Sequence, residues 1–217
     1  VGICTYGREK ELAETLGLIE KEILNNENHT LRGKMEIFVS DNASSGKVLS
    51  INPAIHFFQN MNAGGSGGFA RTMMEAVYPH PDRFTHLILM DDDISVEPEI
   101  FLRTYALLCY LKETYLSYDI GASFLNKENG TMQMEYGGYW NGMKLLFGGK
   151  GRELSKLRQL VLNSSDGEKK NYTGWWYCCM SVESIIERGL PLPFFFYYDD
   201  VEYALRNHGR IILMNGI

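Results

Sequence analysis

Several absences narrow this sequence before any motif is considered. No apolar stretch approaches the roughly 20 residues that a membrane-crossing helix needs; the longest, such as Phe194-Phe195-Phe196-Tyr197-Tyr198, stop far short. Basic residues are outnumbered, 21 Lys and Arg against 27 Asp and Glu, and a net charge of −6 excludes a broad cationic face for gripping nucleic acid. The four cysteines, Cys4, Cys109, Cys178 and Cys179, show no C-x-x-C spacing and two are adjacent, so no zinc site or disulfide framework is spelled out. Buried, reduced thiols in a cytoplasmic protein are the plain reading. The five histidines are scattered without ligand spacing. There is no G-x-x-x-x-G-K-[ST] phosphate loop, no internal repeat and no low-complexity tract.

What is present suits one α/β domain over residues 1–217. Both ends are abrupt: Val1 to Tyr6 reads as a buried strand from its first residue, and Arg210 to Ile217 as a strand running into a turn. The expectation is a piece of a longer protein. The sequons Asn42-Ala43-Ser44 and Asn171-Tyr172-Thr173 fall in segments expected near substrate, which fits a compartment without glycosylation.

The first half alternates strands and helices. Strands are expected over 1–6, 35–40, 55–58 and 85–90, and helices over about 8–24, from the glycine cluster to about Tyr78, and from Pro98 to about Glu113. This order specifies a mostly parallel central sheet flanked by helices, with ligands beyond the carboxyl ends of the strands. Asp41, Asn62 and Asp91–Asp93 lie at such ends and should meet in one crevice, with Arg8 at its rim. In the second half, 119–148 reads as glycine- and aromatic-rich strands and 151–170 as a loop around a short helix. Helices are expected over about 181–188 and from Asp199 to His208-Gly209.

Three patterns carry chemistry. Asp91-Asp92-Asp93 ends the apolar run Leu87 to Met90, and adjacent carboxylates there repel one another unless a cation or strong donors compensate. Mg2+ or Mn2+ would take one or two of them together with nucleotide phosphates. Alternation sends Asp91 and Asp93 to one side and Asp92 to the other, which makes Asp91 and Asp93 the metal pair. The run Gly64-Gly65-Ser66-Gly67-Gly68 at a helix start lets backbone N–H groups approach a diphosphate. Gly65-x-Gly67-x-x-Ala70 also matches a dinucleotide fingerprint, with Asp91 about 20 residues further on, so an NAD-type oxidoreductase stands as a rival. Asp199-Asp200, behind five aromatics and at a helix start, contains a general-base candidate, either of the two. Trp175-Trp176 is either core or a stacking platform for a sugar acceptor.

Together these stretches resemble glycosyltransferase family 2, the inverting GT-A enzymes, and most closely its galactofuranosyltransferase-like branch. The likeness rests on Thr5-Tyr6-x-Arg8, Asn62 to Phe69, Asp91-Asp92-Asp93-Ile94, and Trp175-Trp176 with Tyr198-Asp199-Asp200-Val201-Glu202-Tyr203. The resemblance implies a UDP-sugar donor, UDP-galactofuranose first. Thr5, Arg8 and Asp41 would line the nucleotide pocket, with Asp92 beside them, and Asn62, Gly64, Gly65 and Gly67 the donor side. Asp91 and Asp93 would hold Mn2+ or Mg2+, Trp175 and Trp176 would face a glycan or lipid-linked glycan acceptor, and Asp200 would be the base. It also implies homo-oligomeric assembly and peripheral contact with the inner face of the cell membrane through segments outside these residues. The chain departs from the family in two places. The family's further metal-binding His falls after Gly216-Ile217, and its Trp-Asp-Asp reads Tyr198-Asp199-Asp200 here. A second rival is a glycan- or nucleotide-sugar-binding module without turnover.

Overall fold

The computed structural model describes residues 1–165, 167 and 169–216. Of the expected loop over 151–170 and strand over 210–217, Asp166, Glu168 and Ile217 lie outside the described residues. In chain order the elements are β1 (Gly2–Thr5), α1 (Glu9–Ile19), β2 (Ile37–Asp41), β3 (Ile55–Gln59), α2 (Gly64–Val77), β4 (His86–Asp91), α3 (Glu99–Tyr110) and β5 (Asp119–Gly121). There follow β6 (Phe124–Leu125), β7 (Met132–Glu135), β8 (Gly138–Trp140), β9 (Leu145–Phe147), β10 (Arg152–Glu153) and α4 (Leu157–Ser164). The chain closes with β11 (Tyr177–Ser181), α5 (Val182–Arg188), α6 (Asp199–Arg206) and β12 (Ile211–Leu213).

Seven strands form the main sheet in the order β12-β5-β11-β4-β1-β2-β3. The sheet is parallel from β3 to β4 and between β5 and β12, while β11 runs antiparallel between β4 and β5. It is therefore mostly parallel, as the strand–helix alternation requires. One face buries Leu12, Leu16 and Ile19 of α1 and Phe101 of α3; the other buries Phe69 and Met73 of α2, Ile185 of α5 and Tyr203 of α6. The expected helix over 8–24 widens into a π turn over Glu20–Leu24, with Asn25 N–H bonded to the Glu20 carbonyl. That turn buries both Ile23 and Leu24. The third helix stops at Tyr110, before Glu113, because Leu111 is extended.

Strand β11 has no counterpart in the sequence expectation. All five of its residues are buried, in register with both β4 and β5, so it shows no alternation of polar and apolar positions. Ser181 ends the strand and at once caps α5, its side chain accepting from Ser184 N–H at 3.1 Å, which leaves no loop to mark the boundary. A smaller three-stranded sheet (β10-β7-β6) and the β8–β9 hairpin lie outside the main sheet.

Helix α6 is clamped from behind. Arg188 makes a bidentate pair with buried Asp119, 2.9 Å on each arm, and donates to the Tyr203 carbonyl. Arg188 and Arg206 both lie over the Tyr203 ring, 4.3 and 4.6 Å from its centroid. The start of α6, where Asp199 and Asp200 stand, is thereby fixed against the sheet. Among the described residues no helix is long and apolar enough to cross a membrane.

Candidate active site

The parallel registers set Thr5 opposite Asp41 and Cys4 opposite Asp91, so β1, β2 and β4 end together. Antiparallel β11 pairs Tyr177 with Met90, which brings Trp175 and Trp176 to the same edge. The start of α6 also reaches it. A Cβ added at Gly65 of α2 would stand 3.6 Å from Asp199 Oδ2. Burial, and then the charges of Asp92, Asp91 and Asp199, push the Cys4 thiol up to about 12. The two acidic motifs, distant in sequence, share one small volume.

Within the first motif the three carboxylates have different fates. Asp92 is buried and its oxygens are taken: Thr5 Oγ1 donates at 2.7 Å and Arg8 Nη1 at 2.8 Å. Arg8 also lies 3.2 Å from the exposed Asp93 carboxylate. Asp91 accepts no hydrogen bond from a described residue. Its carboxyl is pushed up to about 7, first by burial and then by the charges of Asp93 and Asp92, against the opposing pull of Arg8. Thr5, Arg8 and Asp92 form a framework, and Asp91 is left uncompensated within it.

Asp41 likewise holds its own loop, accepting from Ala43 N–H, Ser45 N–H and Ser45 Oγ at 3.0, 2.7 and 2.7 Å. Its neighbour Asn42, which the sequence presents only as a turn signal, has a larger part. The buried Asn42 amide donates to the Gly64 carbonyl at 2.9 Å and accepts from Asn60 Nδ2 at 2.8 Å. Exposed Asn62 accepts from Gly64 N–H at 3.2 Å, so the first peptide of α2 is held from both sides.

Gly64 has φ of +70°, and a Cβ there would stand 1.8 Å from the Phe195 carbonyl oxygen. A Cβ at Gly68 would stand 2.0 Å from Cys4 Sγ. The glycine run thus brings α2 flush against β1 and the 192–199 segment, a packing role the sequence does not reveal. Gly65 and Gly67 are partly exposed beside it.

Asp199 and Asp200 open α6 after Tyr197 and Tyr198, two consecutive non-glycine residues in the left-handed region, φ +65° and +67°. The Asp200 carboxyl is pushed up to about 7 by burial and then by the Asp199 charge, with Val201 N–H, 2.7 Å from Oδ1, opposing. Burial also raises Asp199, opposed by its own and the next backbone N–H. Glu135 of β7, itself hydrogen-bonded by Tyr172 Oη at 2.8 Å, adds a further negative charge facing Asp200.

The two tryptophans part company. Trp175 is only 5% exposed and packs edge-on to Phe69 and Tyr203, at 5.3 and 5.7 Å between centroids. It is a core residue with no open face for a sugar ring, which corrects the paired-platform expectation for this position. Trp176 stacks on Phe124 and donates to the Ala122 carbonyl at 3.1 Å, leaving it half-buried. Another aromatic pair borders the start of α6: Trp140 of β8 meets exposed Tyr198 at 6.3 Å.

No protein-family model matches the chain. It is 26% identical over 231 aligned residues to galactofuranosyltransferase GlfT2 of Mycolicibacterium smegmatis, an alignment covering 96% of this chain and 34% of the relative. GlfT2 of Mycobacterium tuberculosis is 29% identical over 160 residues, covering 68% of this chain and 24% of that protein. The chain therefore spans about a third or less of the curated relatives it matches. In fold it superposes on residues 1–349 of S. aureus TarS with a TM-score of 0.59 at 13% identity, covering 96% of this chain and 55% of that one. It superposes equally on the mannosyltransferase PcManGT of Pyrobaculum calidifontis, solved with GDP-Man and Mn2+, with a TM-score of 0.60 at 12% identity, covering 97% and 52%. In fold the chain is of the GT-A glycosyltransferase type, and in sequence it is similar to the galactofuranosyltransferase-like branch of glycosyltransferase family 2.

Proposed function

We propose that this chain is the donor-binding and catalytic part of a glycosyltransferase that moves a hexosyl group, galactofuranosyl first, from a UDP-sugar to a glycan hydroxyl with inversion. One observation carries the reading: two carboxylates pushed up to about 7, Asp91 at the end of β4 and Asp200 at the start of α6, meet at one sheet edge although they are far apart in sequence. The named galactofuranosyltransferase relatives support the choice of sugar, and the neighbour holding GDP-Man and Mn2+ supports a nucleotide-sugar and a divalent ion as ligands.

The residues fit Mn2+ or Mg2+ as an open half-site. Among the described residues no group of three His, Cys, Asp or Glu side chains forms a ready cage. Hard cations of this kind take one or two carboxylates and complete their shells with phosphate and water oxygens. Asp91 and Asp93 would hold the ion, which supplies positive charge to the departing diphosphate. Thr5 and Arg8 keep Asp92, and with it the turn after β4, in place. Asp41, Asn62, Gly64, Gly65 and Gly67 line the donor side, where α2 opens with its positive dipole end.

Asp200 takes the proton of the acceptor hydroxyl. The freed oxygen bonds to the anomeric carbon as the bond from that carbon to the diphosphate oxygen breaks, and UDP leaves with the proton retained on Asp200. Asp199 is the alternative base. Trp140 and Tyr198, and the half-buried Trp176, offer the aromatic faces for a glycan acceptor, free or lipid-linked. The whole protein is assigned to the cytoplasm at the inner face of the membrane, and to a homo-oligomer, on the resemblance alone.

Calorimetry of UDP binding with Mn2+ and with EDTA tests the reading. Binding that Mn2+ strengthens in the wild type but not in Asp91→Asn is the expected result. Metal-independent binding of a nicotinamide dinucleotide in place of UDP would transfer the site to the dehydrogenase rival.

A further inference from the structure

Helix α4 is built inside out. Its one buried side chain is the polar Asn163, whereas Leu157, Leu160, Val161 and Leu162 are exposed, Leu157 by 74%. Residues 157, 160 and 161 share one stripe of the helix by their i, i+3, i+4 spacing. A satisfied amide network beneath fixes this orientation. Asn163 Oδ1 accepts from Gln133 Nε2 at 2.9 Å and Arg152 Nη1 at 2.8 Å, and Asn163 Nδ2 donates to Asn215 Oδ1 at 2.9 Å. Gln133 is fully buried, donating also to the Gly149 carbonyl and accepting from Ser123 Oγ. Turning the leucines inward would break all of these bonds at once.

The surface extends beyond the helix. The Gly148–Gly149 turn lies against Asn163, and β9 just before it exposes Leu146 and Phe147. Cations are interleaved with the apolar groups: Lys150 sits over the Phe147 ring at 4.8 Å, and Lys156 and Arg158 flank Leu157. Residues 139–162 hold five Lys and Arg and one acidic residue, in a chain whose net charge is −6.

We infer that the α4 face docks onto an anionic lipid surface. An acidic protein or a nucleic acid would pair with the cations and leave the leucines in water. An apolar protein groove would cover the leucines and strand the cations. A bilayer interface with acidic headgroups accommodates both, with Leu157, Leu160 and Val161 among the upper acyl chains and Lys156 and Arg158 at headgroup level. The α4 helix is too short to span a membrane and lies along it. The membrane contact then belongs to this domain itself, rather than only to segments outside it. Leu145 of the β8–β9 hairpin packs against the cluster of Tyr172, Val201 and Ala204, which joins the hairpin to α6. The inference stands independently of the proposed reaction.

The test sediments the chain with vesicles of phosphatidylcholine alone or mixed with phosphatidylglycerol. Binding is expected to the anionic vesicles only and should weaken with salt. Leu157→Ser with Leu160→Ser should lower partition by about tenfold or more, and Lys156→Ala with Arg158→Ala by about thirtyfold at low salt. All four side chains are exposed, so circular dichroism and melting temperature should not change. Failure of the folded wild type to bind, equal binding to both vesicle types, or wild-type binding by either variant overturns the inference. So does a dimer seen by light scattering that the leucine variant dissolves, which would make the face a contact between copies.

Discussion

The acidic motifs at the end of β4 and the start of α6 meet at one edge but are compensated by different means. At β4 the help comes from side chains: Thr5 and Arg8 serve Asp92, and Arg8 reaches Asp93. At α6 it comes from the backbone, through Val201 N–H and the opening of the helix itself. In each motif one carboxylate is still left at about 7, with burial as the first cause. A helix opening therefore does not offset desolvation at Asp200, just as a nearby guanidinium does not at Asp91. Asp92, buried and held by Thr5 and Arg8, is framework. The uncompensated ones are groups whose charge waits for a cation or a proton.

The largest way to break this division is at Asp200. In the full-length protein, Asp200→Asn should lower sugar transfer about a thousandfold, whereas Asp199→Asn should cost about tenfold. Single-turnover transfer assays read both, and the reverse order would move the base to Asp199. Next in size is the contrast between two tryptophans that border the α6 motif. Trp175→Ala removes a core ring and should cost about 3–5 kcal/mol in urea unfolding. Trp140→Ala should cost much less stability and should instead raise the KM for acceptor.

The two fates within the β4 triplet predict opposite signs at pH 8. The Asp91 carboxyl sits at 3.8 in its ordinary state and at about 7 when folded, so folding favours its protonated form. The stability linked to it is fully present below 3.8 and is lost as pH rises towards 7. Asp91→Asn should therefore raise stability at pH 8 by about 1–3 kcal/mol, and by nothing at low pH. Asp92→Asn should lose about 1–3 kcal/mol, because Thr5 and Arg8 are left with a poorer acceptor. Melting curves at pH 4 and pH 8 separate the two. Stabilisation by both substitutions would mean that Arg8 and Thr5 do not compensate Asp92.

This division explains what the sequence could and could not reveal. Strand β4 and its aspartates were legible because a parallel strand buried on both faces is a plain apolar run with a polar end. The convergence of Asp41 and Asp91 followed from the rule for strand ends. Strand β11 was hidden because Tyr177-Cys178-Cys179-Met180-Ser181 shows no alternation and runs straight into α5. That omission carried over to the tryptophans, since adjacent residues leading into a strand face opposite ways and only the sheet decides which one is core. The role of Asn42 was equally hidden. Its partner, the Gly64 carbonyl, is a backbone atom of another element and leaves no trace in residue identity.

The smallest prediction sharpens the comparison at the level of backbone strain. Tyr197 and Tyr198 lead into α6 in the left-handed region, while Asp91, Asp92 and Asp93 do not enter it. A left-handed non-glycine residue costs about 1–2 kcal/mol. Tyr197 is 69% exposed, and its ring contact is with Phe196. Tyr197→Gly should therefore stabilise the fold by about 0.5–1 kcal/mol, whereas Asp93→Gly, at a position without that strain, should cost about that much through added freedom of the unfolded chain. If Tyr197→Gly is stabilising yet slows transfer in the full-length protein, the strain serves to aim Asp199 and Asp200. If stability rises with transfer unchanged, the aim of the two acids is set by the Arg188–Tyr203–Arg206 clamp behind the helix alone.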